Sequence, residues 1–302
     1  MNNRNMNIAF CFDEKYTLGY LVTMVSLFEN NKSENIKVYI ITPGLSPDVK
    51  AKFDELANIY HQTLIYKVMD DSLFDGLPLY EPFGKATYFR YTIPELCPES
   101  KVLQLDGDVL IRKNLREMYN TDISDVAMAV VEGQSSDDIY NINRLHLDSP
   151  TFNNGVQLMN LDYWRDNNVA KLCRDYLISN KDICIFVDQD ANNVVLHDKV
   201  KYLPYTYNMQ QVFFWEDSKL RLHYSKWGEL KKYRDNPAIV HFCSRMKPWI
   251  KGCNEPFRDE WIKYAKMYNF IEFKEQKQHS FLYHIVSYIY NNYIRRFLKF
   301  IR

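Results

Sequence analysis

Apolar positions along the chain fall into short blocks that alternate with longer amphipathic stretches. Asn7 to Phe12 is an apolar run of strand length that stops at Asp13-Glu14. Leu18, Leu21, Val22, Val25 and Phe28 then recur near helical spacing, which predicts a helix. Lys37 to Thr42 (KVYIIT) predicts a second strand closed by Pro43-Gly44. Pro47 to Asn58 predicts a second helix, and Thr63 to Val68 a third strand. This alternation implies a parallel sheet with right-handed crossovers. Residues 101–106 (KVLQLD) predict a strand ending on an acid, and Val126 to Val131 another ending at Glu132. Phe152 to Leu161 reads as a loop running into a strand, and Asp162 to Ser179 as one helix capped by Asp162. Beyond residue 200 the pattern turns irregular and aromatic, and no internal repeat is seen.

With 302 residues, 46% hydrophobic and 25% charged, the chain has the composition of a soluble globular protein with a large core. Lys plus Arg equals Asp plus Glu. That balance argues against an extended nucleic-acid footprint, which requires many excess cations. The cysteines, Cys11, Cys97, Cys173, Cys184, Cys243 and Cys253, form no CxxC pair and no zinc spacing, so buried thiols in a reducing compartment are expected. Asp13 and Glu14 break the first apolar run before it could serve as a signal-peptide core, so a cytoplasmic location is expected.

The segment from Ser280 to Arg302 differs in kind. It holds no acidic residue, and Ile294, Phe297, Leu298 and Ile301 share a helical face beside Arg295, Lys299 and Arg302. That is the composition of an interfacial helix, in which each basic residue near an anionic surface contributes about 1 kcal/mol. The expected organisation is a catalytic domain over 1–272 and an amphipathic tail over 273–302 that meets the inner face of a membrane. A terminal helix packed on the domain is the alternative.

The most informative stretch is KVLQLDGDVLI. A buried strand ends in Asp106-Gly107-Asp108 before apolar character resumes. Ligands of open α/β sheets bind outside the carboxyl ends of strands. Two carboxylates there are costly without a positive partner, and Mg2+ or Mn2+ between them and a phosphate is the natural one. Gly107 is expected to let the backbone turn both carboxylates toward one ion. Taken alone, the match fits an ordinary acidic turn equally well.

Its neighbours sharpen the reading. NIAFCFDEKY, ATYFRY at 86–91, LQLDGDVLI, FNNGVQLMNL, DQD at 188–190 and HFCSRMKPW at 241–249 occur in that order. Together they resemble the retaining glycosyltransferases of glycosyltransferase family 8, which include bacterial lipopolysaccharide α-galactosyltransferases and α-glucosyltransferases and glycogenin. The resemblance implies an α/β fold, a single Rossmann-like nucleotide-sugar-binding domain of the glycosyltransferase A type with a mixed central sheet. It implies a UDP-hexose donor, galactose before glucose, and a glycan or lipid-linked saccharide acceptor. By the same resemblance Asp106, Asp108 and His241 bind Mn2+ or Mg2+, and Lys247 holds the diphosphate. Asp13 meets uracil with Tyr16 stacking nearby, and Arg90, Asp106 and Gly107 lie by the nucleotide and sugar. Asn153, Asn154, Gly155, Asp188 and Gln189 surround the hexose, with Asp188, Gln189 and Asn153 nearest the chemistry. Glu132 falls loosely near an acceptor position. Ser244 stands where the family has glycine.

Simpler roles compete. Asp13 and Asp188 could cap helices, Arg90 could be a surface ion pair, and His241 could be structural. For retention, Gln189 would lie beneath the anomeric carbon, where a neutral amide is a poor nucleophile. A front-face substitution, in which the departing phosphate accepts the acceptor's proton, is therefore expected. A haloacid-dehalogenase-type phosphohydrolase also places DxD after a strand, but close to the domain start. A non-catalytic UDP-sugar-binding membrane protein is the other alternative.

Overall fold

The computed structural model describes residues 5–80, 83–133, 139–148, 150–215 and 224–277. Of the tail expected to bind membranes, 273–302, only residues 273–277 are among them. Strands β1 Met6–Cys11, β2 Ile36–Thr42, β3 Thr63–Val68, β4 Lys101–Leu105, β6 Met128–Glu132 and β7 Phe152–Asn160 follow the predicted apolar blocks, and the short strands β5 Val109–Ile111, β8 Val200–Tyr202, β9 Met209–Gln210 and β10 Ile239–His241 join them. The main sheet has the order β3-β2-β1-β4-β7-β6-β8. β1 to β4 pair in parallel as the alternation predicts, whereas β7 runs antiparallel to both β4 and β6. The sheet is therefore mixed. A small second sheet, β5-β10-β9, continues past the end of β4.

Period-two alternation divides the core. Ile8 and Phe10 pack on one face with Leu21, Val25, Phe53 and Leu56. These come from helices α1 (Thr17–Asn30) and α2 (Pro47–Ile59). Ala9 and Cys11 face the other side, with Trp164, Cys173 and Leu177. All six cysteines are free thiols, as their spacing predicts. Among the described residues no helix is long and apolar enough to cross a membrane.

Two local expectations need correction. The stretch 162–179 is two helices, Leu161–Asp166 and Val169–Ser179, with Asn168 between them at φ 52°. Asparagine tolerates this left-handed geometry and so permits the break. The first cap is Asn160, whose side chain accepts from the Tyr163 N–H at 3.1 Å, not Asp162. The FNNG segment also belongs to β7 from its first residue instead of forming a loop.

Helix α1 carries a buried polar stripe that its apolar spacing hid. Thr23 Oγ1 donates to the Val109 carbonyl (2.9 Å), Ser26 Oγ accepts from the Ile111 N–H (3.1 Å), and Asn30 Nδ2 donates to the Ile111 carbonyl (3.0 Å). β5 pairs with β10 on one edge, and these side chains satisfy the other. Gly19, one turn earlier, rests directly on Gly107: an added Cβ would lie 2.4 Å from the Gly107 carbonyl oxygen. Gly19→Ala must push α1 off the acidic turn. A loss of about 1–3 kcal/mol is expected in urea denaturation. Gly228→Ala serves as control, because its Cβ meets nothing within 4 Å, and it should lose no stability.

Candidate active site

The carboxyl ends of β1 and β4 and the first residues of the antiparallel β7 open into a cleft of about 1010 Å³. Every residue predicted for the metal, nucleotide or hexose lines it: Asp13 and Tyr16, Arg90, Asp106 to Asp108, Asn153 to Gly155, Asp188 and Gln189, His241 and Lys247.

Asp106 follows β4, and its N–H donates to the Gly155 carbonyl at 2.9 Å, so the β4–β7 pairing continues into the acidic turn. Gly107 is not at positive φ. Its lack of a side chain matters for space: a Cβ would lie 2.5 Å from the Tyr20 ring, which is held by its hydroxyl on the Cys11 carbonyl (2.9 Å). The expectation of a glycine-specific turn is replaced by one of close packing.

One oxygen or nitrogen each from Asp106, Asp108 and His241 lies within 4.8 Å of the others. Lys247 Nζ donates to Asp108 Oδ2 at 2.5 Å. Asp108 Oδ1 is buried without a hydrogen-bond partner and faces His241 Nε2 at 3.1 Å. Burial opposes the Asp108 charge, yet the Lys247 ammonium holds its carboxyl well below the usual range. An orphaned carboxylate oxygen opposite an imidazole nitrogen, with a second carboxylate adjacent, suits a divalent cation. His241 also rests on Gly155, where a Cβ would fall 2.2 Å from its Cε1. That contact explains the glycine of FNNG.

At the other end, Arg90 is 6% exposed and no surface residue. It donates to Asp106 Oδ1 (3.0 Å) and the Asn154 carbonyl (2.5 Å), and its Nε lies 3.1 Å from Asp188 Oδ2. Asp188 also accepts from Asn154 Nδ2 (2.8 Å) and the Thr87 hydroxyl. Burial raises the Asp188 pKa, and Arg90 opposes that rise. Asp188 makes no capping hydrogen bond at the start of the helix Val187–Leu196. The buried Val187 before it adopts φ 45°. A β-branched residue there costs about 1–3 kcal/mol, strain of a kind found where side chains are aimed at a site. Asp13 does cap, accepting from the Lys15 N–H at 3.0 Å. Tyr16 meets Trp249 edge-on, with centroids 6.1 Å apart.

Asn208 and Arg144 carried no readable signal in the sequence. Asn208, in an irregular stretch, accepts from His241 Nδ1 at 3.0 Å and donates to Asn153 at 2.9 Å. Asp190 is occupied by Arg144, through Nη1 at 2.7 Å and Nη2 at 3.0 Å. Glu132 accepts from the Tyr205 hydroxyl (2.7 Å), lies 3.2 Å from Lys226 Nζ, and is not among the cleft-lining residues. Ser244 lies outside the left-handed region and accepts from the Met246 N–H at 3.0 Å, so serine closes this loop without glycine.

Behind that loop Gln211 bridges the Ser244 N–H (2.8 Å) and Glu255 Oε1 (3.0 Å). Burial pushes Glu255 up to about 7. The native carboxyl keeps its proton to that pH, whereas the unfolded one releases it near 4.5. Stability should therefore fall as pH rises through this window, by at most about 1.4 kcal/mol per unit. Urea denaturation from pH 4 to 8 should show the slope, and Glu255→Gln should remove it.

Comparison with known proteins adds a lineage. Residues 7–253 match the family described as Glycosyl transferase family 8. General stress protein A of Bacillus subtilis is 27% identical over 268 residues, covering 86% of this chain and 92% of that protein. Lipopolysaccharide 1,2-glucosyltransferase of Escherichia coli is 25% identical over 299 residues, covering 92% and 86%. The crystal structure of galactosyltransferase LgtC with donor and acceptor sugar analogs superposes with a TM-score of 0.79 at 23% identity, covering 87% of this chain and 96% of that one. That likeness establishes the shared fold.

Proposed function

Because the chain belongs to glycosyltransferase family 8, we propose that it transfers a hexose from a UDP-sugar to a glycan hydroxyl with retention of the donor's α configuration. The carrying observation is one cleft that joins the Asp106–Asp108–His241 cluster and Lys247 to the Arg90–Asp188–Asn154 cluster. The phosphohydrolase alternative falls with the family assignment. Relatives named as lipopolysaccharide 1,2-glucosyltransferase and 1,3-galactosyltransferase support a surface-glycan acceptor. Galactose is favoured over glucose as the transferred sugar.

Asp106, Asp108 and His241 would hold Mn2+ or Mg2+, which when bound neutralises diphosphate charge as a Lewis acid. Lys247, fixed between Asp108 and the Phe242 carbonyl (3.0 Å), supplies a preorganised positive charge for the departing UDP. Asp13 and Tyr16 are assigned to the base. Asp188 orients ring hydroxyls and stabilises the positive charge of an oxocarbenium-like state. Gln189 Oε1 already accepts from Asn153 Nδ2 (3.1 Å) and the Asn154 N–H (3.3 Å), and the Asp190 carboxylate is taken by Arg144. Neither is free as a nucleophile, which supports front-face substitution with the leaving phosphate accepting the acceptor's proton.

Residues 1–272 form the proposed catalytic domain. The basic, aromatic segment 273–302 is its proposed attachment to the anionic inner face of the cytoplasmic membrane, which would bring the site to a lipid-linked acceptor.

With Mn2+ and UDP-galactose or UDP-glucose, slow release of UDP from one donor is expected without any acceptor. EDTA should abolish it. Asp108→Asn and Lys247→Ala should each lower it by about 10²–10³-fold. Binding of UDP-sugar without turnover, even with acceptor extracts, would favour the non-catalytic reading; neither release nor binding would defeat the assignment. Separately, the full chain should sediment with vesicles containing anionic lipid. A chain with Arg295, Lys299 and Arg302 changed to Glu should stay in the supernatant.

A further inference from the structure

His241 can serve as a metal ligand only if the nitrogen facing Asp108 is bare. A neutral imidazole carries its proton on either nitrogen, and the hydrogen bond made by one decides the state of the other. The decision here traces back to a backbone amide. The Gly155 N–H, which can only donate, lies 2.9 Å from Asn153 Oδ1 and fixes that atom as an acceptor. Asn208 shares the same oxygen, so the atom it presents is its Nδ2, at 2.9 Å. The other end of Asn208 is then the acceptor Oδ1, and it faces His241 Nδ1 at 3.0 Å. Nδ1 must therefore carry a proton, and in the neutral imidazole it is Nε2 that is bare toward Asp108 Oδ1 at 3.1 Å.

Asn208 and His241 are 0% and 2% exposed, so water has little room to supply another partner. The chain also runs the other way. With Oδ1 of Asn153 fixed, its Nδ2 donates to Gln189 Oε1 at 3.1 Å, and the Asn154 N–H reaches the same oxygen at 3.3 Å. One directional series therefore runs His241, Asn208, Asn153, Gln189.

We propose that Asn208 is a positioning residue: it locks His241 in the Nδ1–H tautomer, and through Asn153 it ties the orientation of the metal-facing imidazole to that of the Gln189 amide. The proposal rests on the divalent-metal reading given above. The lock itself is a property of the protein without metal. Outer partners of this kind commonly change metal affinity by about 10–100-fold when removed.

The test uses the full chain with Asn208→Ala and Asn208→Asp. Histidine labelled with 15N reports the tautomer in metal-free protein at pH 8, and the His241 signals are identified by their loss in His241→Asn. Wild type should show a protonated Nδ1 throughout, and Asn208→Ala a mixture in which Nδ1 is partly bare. Asn208→Asp keeps the size and the acceptor but cannot donate to Asn153. It should retain the tautomer and bind Mn2+ within about threefold of wild type, by electron paramagnetic resonance of free Mn2+, yet lose UDP-hexose hydrolysis rate. Asn208→Ala should weaken Mn2+ binding by about 10–100-fold. An unchanged tautomer and Mn2+ affinity in Asn208→Ala would overturn the proposal. So would equal loss in Asn208→Asp, which would mark a role in packing alone. If wild type bound no Mn2+, the metal reading would fall, and the tautomer comparison would still decide whether Asn208 is the lock.

Discussion

The structure depends on holding Asp106, Asp108 and Asp188 together at the end of a buried sheet. Such charges are costly in a low-dielectric setting unless matched by cations and hydrogen bonds. Arg90 bridges Asp106 and Asp188, and Lys247 binds Asp108. The carboxylates outnumber these cations, and Asp108 Oδ1 stays unpartnered in a buried position. The protein is thus built around a place for additional positive charge. The proposed function, handling a metal-bound nucleoside diphosphate, would use that deficit.

Keeping the carboxylates there requires rigid support from both sides. On one side α1 lies against the acidic turn at Gly19 and gives Thr23, Ser26 and Asn30 to the free edge of β5. On the other, β7 runs against its neighbours, so its first residues, not its last, sit at the cleft. A register shift between β6 and β7 near Ala129 and Val131 frees Asn154 and Gly155 from β6, while the Asp106 N–H just after β4 holds the Gly155 carbonyl. Such irregularities re-aim side chains. Gly155 then accommodates the His241 ring, and Asn153 and Asn154 reach Gln189 and Asp188. A single strand carries contacts to both ends of the site.

Two substitutions of expectation show how context assigns roles. Gly107 and Gly155 invite a conformational explanation, but neither has positive φ, and each is small because a ring lies against it. Arg90 and Asp188 each had a plausible role as surface pair or cap. Their burial against one another removes those readings.

By itself the sequence determined the α/β alternation, most strands of the main sheet and a core set of the residues that line the cleft. Apolar period and turn residues act locally, and the ordered motifs mark the ends of those strands. The reversed direction of β7, the break at Asn168 and the polar stripe of α1 were decided only by tertiary structure, because each answers to a neighbour distant in the chain. The same holds for Asn208: nothing near it in sequence marks it, and its meaning comes from Asn153 and His241, which the fold brings to either end of its amide. Asp190 likewise shares the DQD motif with Asp188, yet Arg144 takes its charge. Sequence pattern records which groups are available, and the directionality of hydrogen bonds in a closely packed interior decides what each one does.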